Sequence, residues 1–159
     1  MSKSEREAAQ QNIAENRKAA HDYHFLETFE AGIALVGTEV KSIRDGGANL
    51  RDSFARVEAG EVWVYNVHVA AYRNRGSSDH EPTRRRKLLL HRKEIRKLIG
   101  KTTEKGMTIV PTRMYFKNGR VKVAIALAKG KKAHDKRETV KRREAERETR
   151  AAVKERRSR

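Results

Sequence analysis

Apolar and polar residues alternate from Phe25 to Leu35. The apolar positions of this stretch are Phe25, Phe29, Ala31, Ile33 and Leu35, and Glu27 is the exception. This period of two predicts a long strand with one apolar face, because successive strand side chains point to opposite sides. Gly32 falls where a strongly bent strand favours a residue without Cβ.

A short helix and a hairpin are predicted next. Thr38 is a plausible N-cap, Val40 and Ile43 share a helical face, and Gly46-Gly47 can end the helix in a left-handed conformation. The hairpin has arms over Ser53–Glu58 and Val62–Val69 around Ala59-Gly60. One face of the second arm carries Trp63, Tyr65, Val67 and Val69.

The second half of the apolar region predicts a loop, a helix and a second hairpin. Arg73–Arg86 combines turn residues with arginines, which is typical of an exposed basic loop. Leu88–Leu90 lead into a helix that Gly100 closes, with Ile95, Leu98 and Ile99 on one face. Strands over Met107–Phe116 and Val121–Ala128 flank the turn Asn118-Gly119, and Pro111 indicates an edge or bulge.

This order of elements predicts a mainly β, OB-fold-like antiparallel Greek-key barrel. It has a short helix after strand one and a longer helix between strands three and four. The barrel spans residues 17–128, after a flexible N-terminal arm over 1–16 that is frayed or weakly helical. Residues 129–159 form a basic C-terminal tail.

The tail composition cannot support a core. Its fourteen Lys/Arg face six Asp/Glu, a net charge of +8, and Val140 and Val153 are its only apolar residues larger than Ala. We therefore expect a tail that is disordered when free and that a polyanionic partner orders. A helix starting near Asp135, with Glu138 three residues on, would be marginal alone.

The charge of the chain favours nucleic acid as the partner. Of 159 residues, 38 are Lys/Arg and 21 Asp/Glu, giving a net charge of +17. The cations cluster in the loop and helix between the hairpins, and Lys41, Arg44, Lys117 and Lys122 could line the barrel. With nine aromatic residues, stacking on single strands would be sparse, so the composition favours recognition of RNA shape and backbone.

Catalytic and metal sites find no support in the residue pattern. The chain has no cysteine. His21 and His24 would point to opposite faces of an extended chain, and Ser77-Ser78-Asp79-His80 are adjacent in a loop, which is not the geometry of a hydrolase triad. Glu30 and Glu39 suit a helix-start or barrel-surface role better than an acid/base pair. We predict no catalytic residue, no metal and no cofactor.

The first 16 residues lack the apolar core of a signal peptide, and no apolar run approaches the length of a membrane span. These features predict a cytoplasmic protein that does not bind membranes.

Ordered sequence blocks resemble the SsrA-binding protein family, the partner of transfer-messenger RNA (tmRNA) in bacterial ribosome rescue. They are collinear over about 125 residues and comprise Asn16-Arg17-Lys18-Ala19, Phe29-Glu30-Ala31-Gly32, Gly37-Thr38-Glu39-Val40-Lys41-Ser42, Pro82-Thr83-Arg84-Arg85-Arg86-Lys87-Leu88-Leu89-Leu90, Lys117-Asn118, Ala128-Lys129-Gly130-Lys131-Lys132 and His134-Asp135-Lys136-Arg137.

The resemblance implies an RNA-binding adaptor of trans-translation. The barrel would hold the tRNA-like domain of tmRNA in a one-to-one complex, as a monomer. The complex would deliver alanine-charged tmRNA with elongation factor Tu to stalled ribosomes. The tail would become helical in the empty messenger channel beside the small-subunit decoding centre, and the ribosome would perform the chemistry.

The resemblance also carries site residues over to this chain. The tmRNA-binding positions are Asn16, Glu30, Leu89 and Lys122, with Lys41 and Arg44 beside them. The ribosome-facing positions of the tail are Gly130, Lys131, Lys132, His134, Asp135, Lys136, Arg137, Lys141 and Arg143. Ala145 departs from members with an aromatic residue there, and residues 144–159 receive no role. The alternatives are a general ribosome-associated OB-fold RNA-binding protein and a small RNA-processing enzyme.

Overall fold

A computed structural model describes residues 10–72, 79–131 and 133–157, which contain nine strands and four helices. The side chains of Gln10 and of residues 133–135 are not among the described features. The elements are β1 (Gln10–Glu15), α1 (Arg17–Asp22), β2 (Tyr23–Ile33), α2 (Gly37–Arg44), β3 (Ala48–Asn49), β4 (Phe54–Glu58), β5 (Glu61–Tyr65), β6 (His68–Val69), β7 (Arg86–Leu89), α3 (Arg92–Thr102), β8 (Met107–Lys117), β9 (Arg120–Gly130) and α4 (Ala133–Arg157).

The main sheet is antiparallel and its strand pairings form a cycle. The order is β1-β8-β4-β5-β7-β2-β9, and β9 pairs again with β8. Strands β3 and β6 form a separate two-stranded sheet. The core contains Phe29, Ala31, Ile33, Val62, Val64, Leu88, Leu98, Ile109, Met114, Val123 and Ile125. The mainly β, antiparallel prediction is confirmed.

The first predicted strand occupies β2, from Tyr23 to Ile33, with a break in its alternation. Phe29, Ala31 and Ile33 are buried as predicted, whereas Phe25 is 39% exposed. The register between β2 and β9 shifts between Phe25 and Glu27. This bulge places Phe25 outside the core, so the prediction is wrong at that position.

Both hairpin turns are confirmed. Ala59-Gly60 have φ values of 50° and 77°, and Asn118-Gly119 have 51° and 76°. Two consecutive positive φ angles are those of a type I′ turn, whose twist matches antiparallel strands. The expected bulge at Pro111 is also present, as a register shift between Pro111 and Arg113.

The predicted apolar face of the first hairpin's second arm is wrong in part. Val62 and Val64 are the buried residues of β5, so Trp63 lies on its other face. Asn66, with φ 62°, interrupts the strand. Val67 then returns to the core, because the left-handed residue changes which side the following side chains face.

The N-terminal segment is more ordered than predicted. Residues 1–9 lie outside the described residues, but residues 10–15 form β1 and pair with β8 from Lys117 to Arg113. The prediction of a frayed or weakly helical arm is therefore wrong for residues 10–15. The short helix α1 was also missed, since His21 belongs to α1 and only His24 to the extended strand. Pairing with a neighbouring strand stabilises β1, although its own side-chain pattern is weak.

A buried carboxylate joins α2 to β7. Glu39 and Arg86 are both fully buried, and Arg84 and Arg86 donate hydrogen bonds to the Glu39 carboxylate. Glu39 also accepts a hydrogen bond of 2.9 Å from the Val36 N–H. Glu39 therefore has the predicted helix-start position, but it is an interior residue rather than a surface one.

These contacts correct two predictions. The predicted exposed loop ends before Arg86, which forms part of strand β7 and donates to the Val67 and Pro82 carbonyls at 2.7 and 3.1 Å. Residues 73–78 of that loop, including Ser77 and Ser78, lie outside the described residues. Val36, rather than Thr38, is the N-cap of α2, and the Thr38 hydroxyl lies 2.9 Å from His80 Nδ1.

Helix α3 continues through Gly100 to Thr102, so the predicted end at Gly100 is wrong. Leu98 is fully buried and Ile99 is 43% exposed, which narrows the apolar stripe that the sequence predicts. None of the helices in the described part of the chain combines the length and apolarity that a membrane span requires.

Stability should depend on pH through Glu39. Burial alone would raise its pKa, but hydrogen bonds from Arg84, Val36 and Arg86 outweigh burial and hold the pKa below the ordinary value of 4.5. This carboxylate therefore stabilises the fold above about pH 4.5, and its contribution is lost as the pH falls towards the lower, folded-state pKa. As the pH is lowered below about 4.5, we expect the free energy of unfolding to decrease more steeply for the wild type than for Glu39→Gln. Urea titrations across the range measure both slopes, and equal slopes would contradict the assignment.

Candidate nucleic-acid interface

One outer face of the sheet gathers the charged residues of three strands. Glu30 of β2 accepts a hydrogen bond of 2.5 Å from the Tyr115 hydroxyl of β8. Lys117 Nζ lies 3.1 and 3.3 Å from the two Glu30 carboxylate oxygens. The Glu30 carboxylate and the Lys117 ammonium therefore share one surface, and the buried Tyr115 beneath them hydrogen-bonds the carboxylate.

Leu89 and Lys122 join this surface through Gly32. In the strand register, Gly32 of β2 lies opposite Leu89 of β7 on one side and Lys122 of β9 on the other. Residues directly opposite each other in neighbouring strands lie on the same face of a sheet. A Cβ on Gly32 would lie 3.2 Å from Leu89 Cβ, so glycine lets β7 and β2 approach closely here.

We call this surface the β2–β8–β9 face. Its members are Glu30, Gly32, Leu89, Arg113, Tyr115, Lys117 and Lys122. Leu89 is 53% exposed, because Leu88 before it faces the core and successive strand side chains point to opposite faces. The face thus offers cations with one apolar side chain among them.

Contacts on the face set the protonation states of Glu30 and Tyr115. Burial opposes ionisation of Glu30, but hydrogen bonds from Tyr115 and Lys117 outweigh it and lower the pKa of this carboxyl. Burial and the adjacent Glu30 raise the pKa of Tyr115 to about 12. Near neutral pH, Glu30 is therefore an acceptor and the Tyr115 hydroxyl a donor. The Arg113 guanidinium lies 4.5 Å from the centroid of the Tyr115 ring.

Asn16 lies elsewhere and is buried. Its side chain accepts a hydrogen bond of 3.1 Å from the Ala19 N–H and donates one of 2.8 Å to the Pro111 carbonyl. It is the N-cap of α1 and ties that helix to β8. The structure therefore brings Glu30, Leu89 and Lys122 together on the face, whereas Asn16 lies outside it, beside a groove that Arg113 also lines.

Lys41 and Arg44 are exposed on helix α2. Lys41 Nζ lies 5.6 Å from the centroid of the Tyr72 ring. Neither residue belongs to the strand pairs that build the β2–β8–β9 face. Arg113 and Tyr115 belong to that face but were missed in the sequence. Arg113, Tyr115 and Lys117 are spaced two residues apart, and this alternation along the predicted strand could have placed them on one face.

Helix α4 starts beside α1. The Lys131 N–H donates to the Asp22 carbonyl at 2.8 Å, and Lys131 Nζ donates to the Thr139 hydroxyl at 2.8 Å. Lys136 Nζ lies 3.4 Å from the Asp22 carboxylate. These contacts attach the first turns of α4 to the helix that precedes β2.

The tail residues named from the resemblance occupy the end of β9 and this helix. Gly130 is the last residue of β9 and pairs with Tyr23. Lys132 lies outside the described residues, as do the side chains of His134 and Asp135. Arg137, Lys141 and Arg143 are exposed on α4, which begins at Ala133, close to the predicted start.

A second surface pairs aromatic rings with arginines on β4 and β5. Phe54 and Tyr65 stack with centroids 5.2 Å apart, and Arg56 lies 5.1 Å from the Phe54 centroid. Arg85 lies 4.3 Å from the Trp63 centroid and also pairs with Glu58 at 3.1 Å. Much of the aromatic content is therefore engaged within the protein.

The antiparallel sheet, its cationic outer face and the basic helix define a small basic β protein of the kind that binds RNA. A family model described as SmpB protein matches residues 13–155. The chain belongs to the SmpB protein family.

Curated relatives and a solved structure agree with this family. An SsrA-binding protein from Carboxydothermus hydrogenoformans is 60% identical over 141 residues, 89% of this chain and 95% of the relative. One from Geobacillus kaustophilus is 58% identical over 144 residues, 91% of this chain and 93% of the relative. A solved structure described as "tmRNA-SmpB: a journey to the center of the bacterial ribosome" contains a chain 52% identical, with a TM-score of 0.63. The match covers 75% of this chain and 84% of that one.

Proposed function

We propose that the protein is the RNA-binding adaptor of trans-translation, which binds the tRNA-like domain of tmRNA and brings it to stalled ribosomes. The observation that carries the proposal is the meeting of Glu30, Leu89 and Lys122 on the β2–β8–β9 face. Family membership and relatives described as SsrA-binding proteins support it.

The β2–β8–β9 face suits recognition of a folded RNA. Lys122, Lys117 and Arg113 can contact phosphates, while the Glu30 carboxylate can accept hydrogen bonds from 2′-hydroxyls or base edges. We propose that Lys41 and Arg44 extend the contact along α2. The cycle of strand pairings supports an OB-like barrel as the rigid support of this face.

We propose that α4 is the segment that enters the ribosome, in the empty messenger channel near the decoding centre. Its 25 residues correspond to about 38 Å of helix, long enough to follow a channel rather than a single site. Most of its described side chains are exposed, and its ten Lys/Arg outnumber its six Asp/Glu, so ribosomal RNA can stabilise a helix that is marginal in water. Beyond its first turns, which contact α1, the segment would be disordered in the free protein and become helical on the ribosome.

The adaptor acts without a cofactor or catalytic residue of its own. It works as a monomer in the cytoplasm, one protein per tmRNA, together with elongation factor Tu and the alanine-charged RNA. We assign tmRNA to the sheet domain, which includes β1 and extends to Gly130 at the end of β9, and the ribosome to the tail that follows it.

Lys122→Ala tests the RNA face. We expect about tenfold weaker binding of the isolated tRNA-like domain and a salt dependence whose log–log slope is smaller by about one, because one phosphate contact is lost. Filter binding or fluorescence anisotropy at several salt concentrations measures both quantities. Lys105→Ala is the matched control, since Lys105 is exposed just before β8, at the end of that strand remote from Tyr115. Equal losses in both variants would contradict the site.

RNA recovered with the purified protein separates the alternatives. A single tRNA-like RNA supports the adaptor, and bulk ribosomal RNA would indicate a general ribosome-associated protein. If RNA added to the purified protein is shortened or modified, the protein would instead be a processing enzyme.

A further inference from the structure

A groove of about 350 Å³ opens between α1 and the outer side of the sheet. Arg17 and Ala20 of α1 form one wall, and Arg113 of β8 forms part of the other. Phe25 and Thr28 of β2 also line the groove. Most of the lining surface is apolar, and its charged side chains are Arg17, Arg113 and Glu15.

The groove continues the β2–β8–β9 face. Arg113 belongs to both, because its guanidinium lies 4.5 Å from the Tyr115 ring centroid while the residue also lines the groove. Thr28 is two residues before Glu30, on the same side of β2. An RNA strand that contacts Glu30 and Lys122 can therefore pass directly into the groove.

The chemistry of the groove matches one unstacked nucleotide. Phe25 is 39% exposed because the bulge in β2 removes it from the core, and an exposed aromatic ring stacks with any base. Arg17 and Arg113 can contact the phosphates on either side of that base. Single-stranded loops supply such bases, whereas paired bases stay within the helix.

We propose that this groove receives one unpaired base of the RNA bound to the β2–β8–β9 face, with Phe25 stacking on the base and Arg17 and Arg113 holding its flanking phosphates. The inference rests on the proposed function and adds a subsite to it. Asn16 is then a positioning residue. Its buried side chain caps α1 and fixes that wall of the groove to Pro111, so it acts on RNA through the shape of the groove.

Substitution of Phe25 tests the subsite with the full-length protein and the isolated tRNA-like domain of a tmRNA as the probe. Phe25→Ala should weaken binding by about tenfold, a loss typical of one base–aromatic stack, and leave the salt slope unchanged. Phe25→Trp should keep the affinity of the wild type, because it retains an aromatic ring at this position. Leu26→Ala is the matched control, since Leu26 is 58% exposed and is not a lining residue. Arg113→Gln should instead reduce the salt slope by about one.

Two further measurements separate a subsite from a loss of folding. A photoreactive benzoyl-phenylalanine at position 25 keeps an aromatic side chain and should crosslink to one unpaired nucleotide. Asn16→Ala and Phe25→Ala should be non-additive in RNA binding, because both act on the same groove.

The outcomes distinguish the subsite from the proposed function. If Lys122→Ala weakens binding and Phe25→Ala does not, or if the crosslink forms with unspecific positions along the RNA, the subsite is wrong and the RNA face stands. If the wild type does not bind the tRNA-like domain, both are wrong.

Discussion

Replacing Glu39 with alanine should lower the free energy of unfolding by about 3–5 kcal/mol, the loss typical when one partner of a buried ion pair is removed. Arg86 is fully buried and would keep its charge without the carboxylate that compensates it. The Val36 N–H would also lose its acceptor at the start of α2. Urea unfolding of the two proteins at neutral pH measures the difference.

Glu58→Ala is the matched control for this prediction. Glu58 pairs with Arg85 at 3.1 Å and accepts a hydrogen bond from the Tyr65 hydroxyl, but Glu58 and Arg85 are substantially exposed, so the loss should be about 1 kcal/mol. A loss at Glu39 no greater than that at Glu58 would mean that solvent or another group compensates Arg86. The buried network would then not be what holds β7 beside α2.

Ending the chain after Lys131 should abolish peptide tagging on stalled ribosomes while leaving binding of the tRNA-like domain unchanged. The cut belongs after Lys131 because Lys129 pairs with both His24 and Met107, so an earlier end would remove part of the sheet. The retained Lys131 keeps its backbone hydrogen bond to the Asp22 carbonyl. Tagging in a reconstituted translation system and RNA binding by anisotropy measure the two effects separately.

A chain in which a Gly/Ser linker of equal length replaces residues 132–159 is the control for this truncation. The linker restores length without positive charge or helix propensity, and should not restore tagging. Restored tagging would show that length alone matters, and lost RNA affinity in the truncated chain would contradict the division between barrel and tail.

The parts of the fold that the sequence predicted are those encoded by neighbouring residues. Asn118-Gly119 and Ala59-Gly60 specify tight turns locally, and the period of two over Phe29, Ala31 and Ile33 specifies a core face. Strand β1 was missed because its pairing partner, β8, lies about a hundred residues further along the chain. No local pattern reports such a partner.

In the candidate site, too, the sequence identified individual residues, whereas their arrangement depended on segments that are distant along the chain. Resemblance supplied Glu30, Leu89 and Lys122 as separate positions, without a reason for their association. Their shared surface follows from the register of β2 with β7 and β9, which sets Gly32 between Leu89 and Lys122. The register also assigns Arg113 and Tyr115 to the face, although the sequence offered only an alternating strand there.

By itself, the sequence determined a basic, mainly β protein with a C-terminal segment unable to form a core, since charge and apolar content are properties of composition. Only the tertiary structure decided that Arg86 is buried against Glu39 and that Asn16 is the buried N-cap of α1. The physical reason is that burial depends on which distant segments pack together. An arginine in a basic stretch is read as exposed until the carboxylate that compensates it, 47 positions away, is placed beside it.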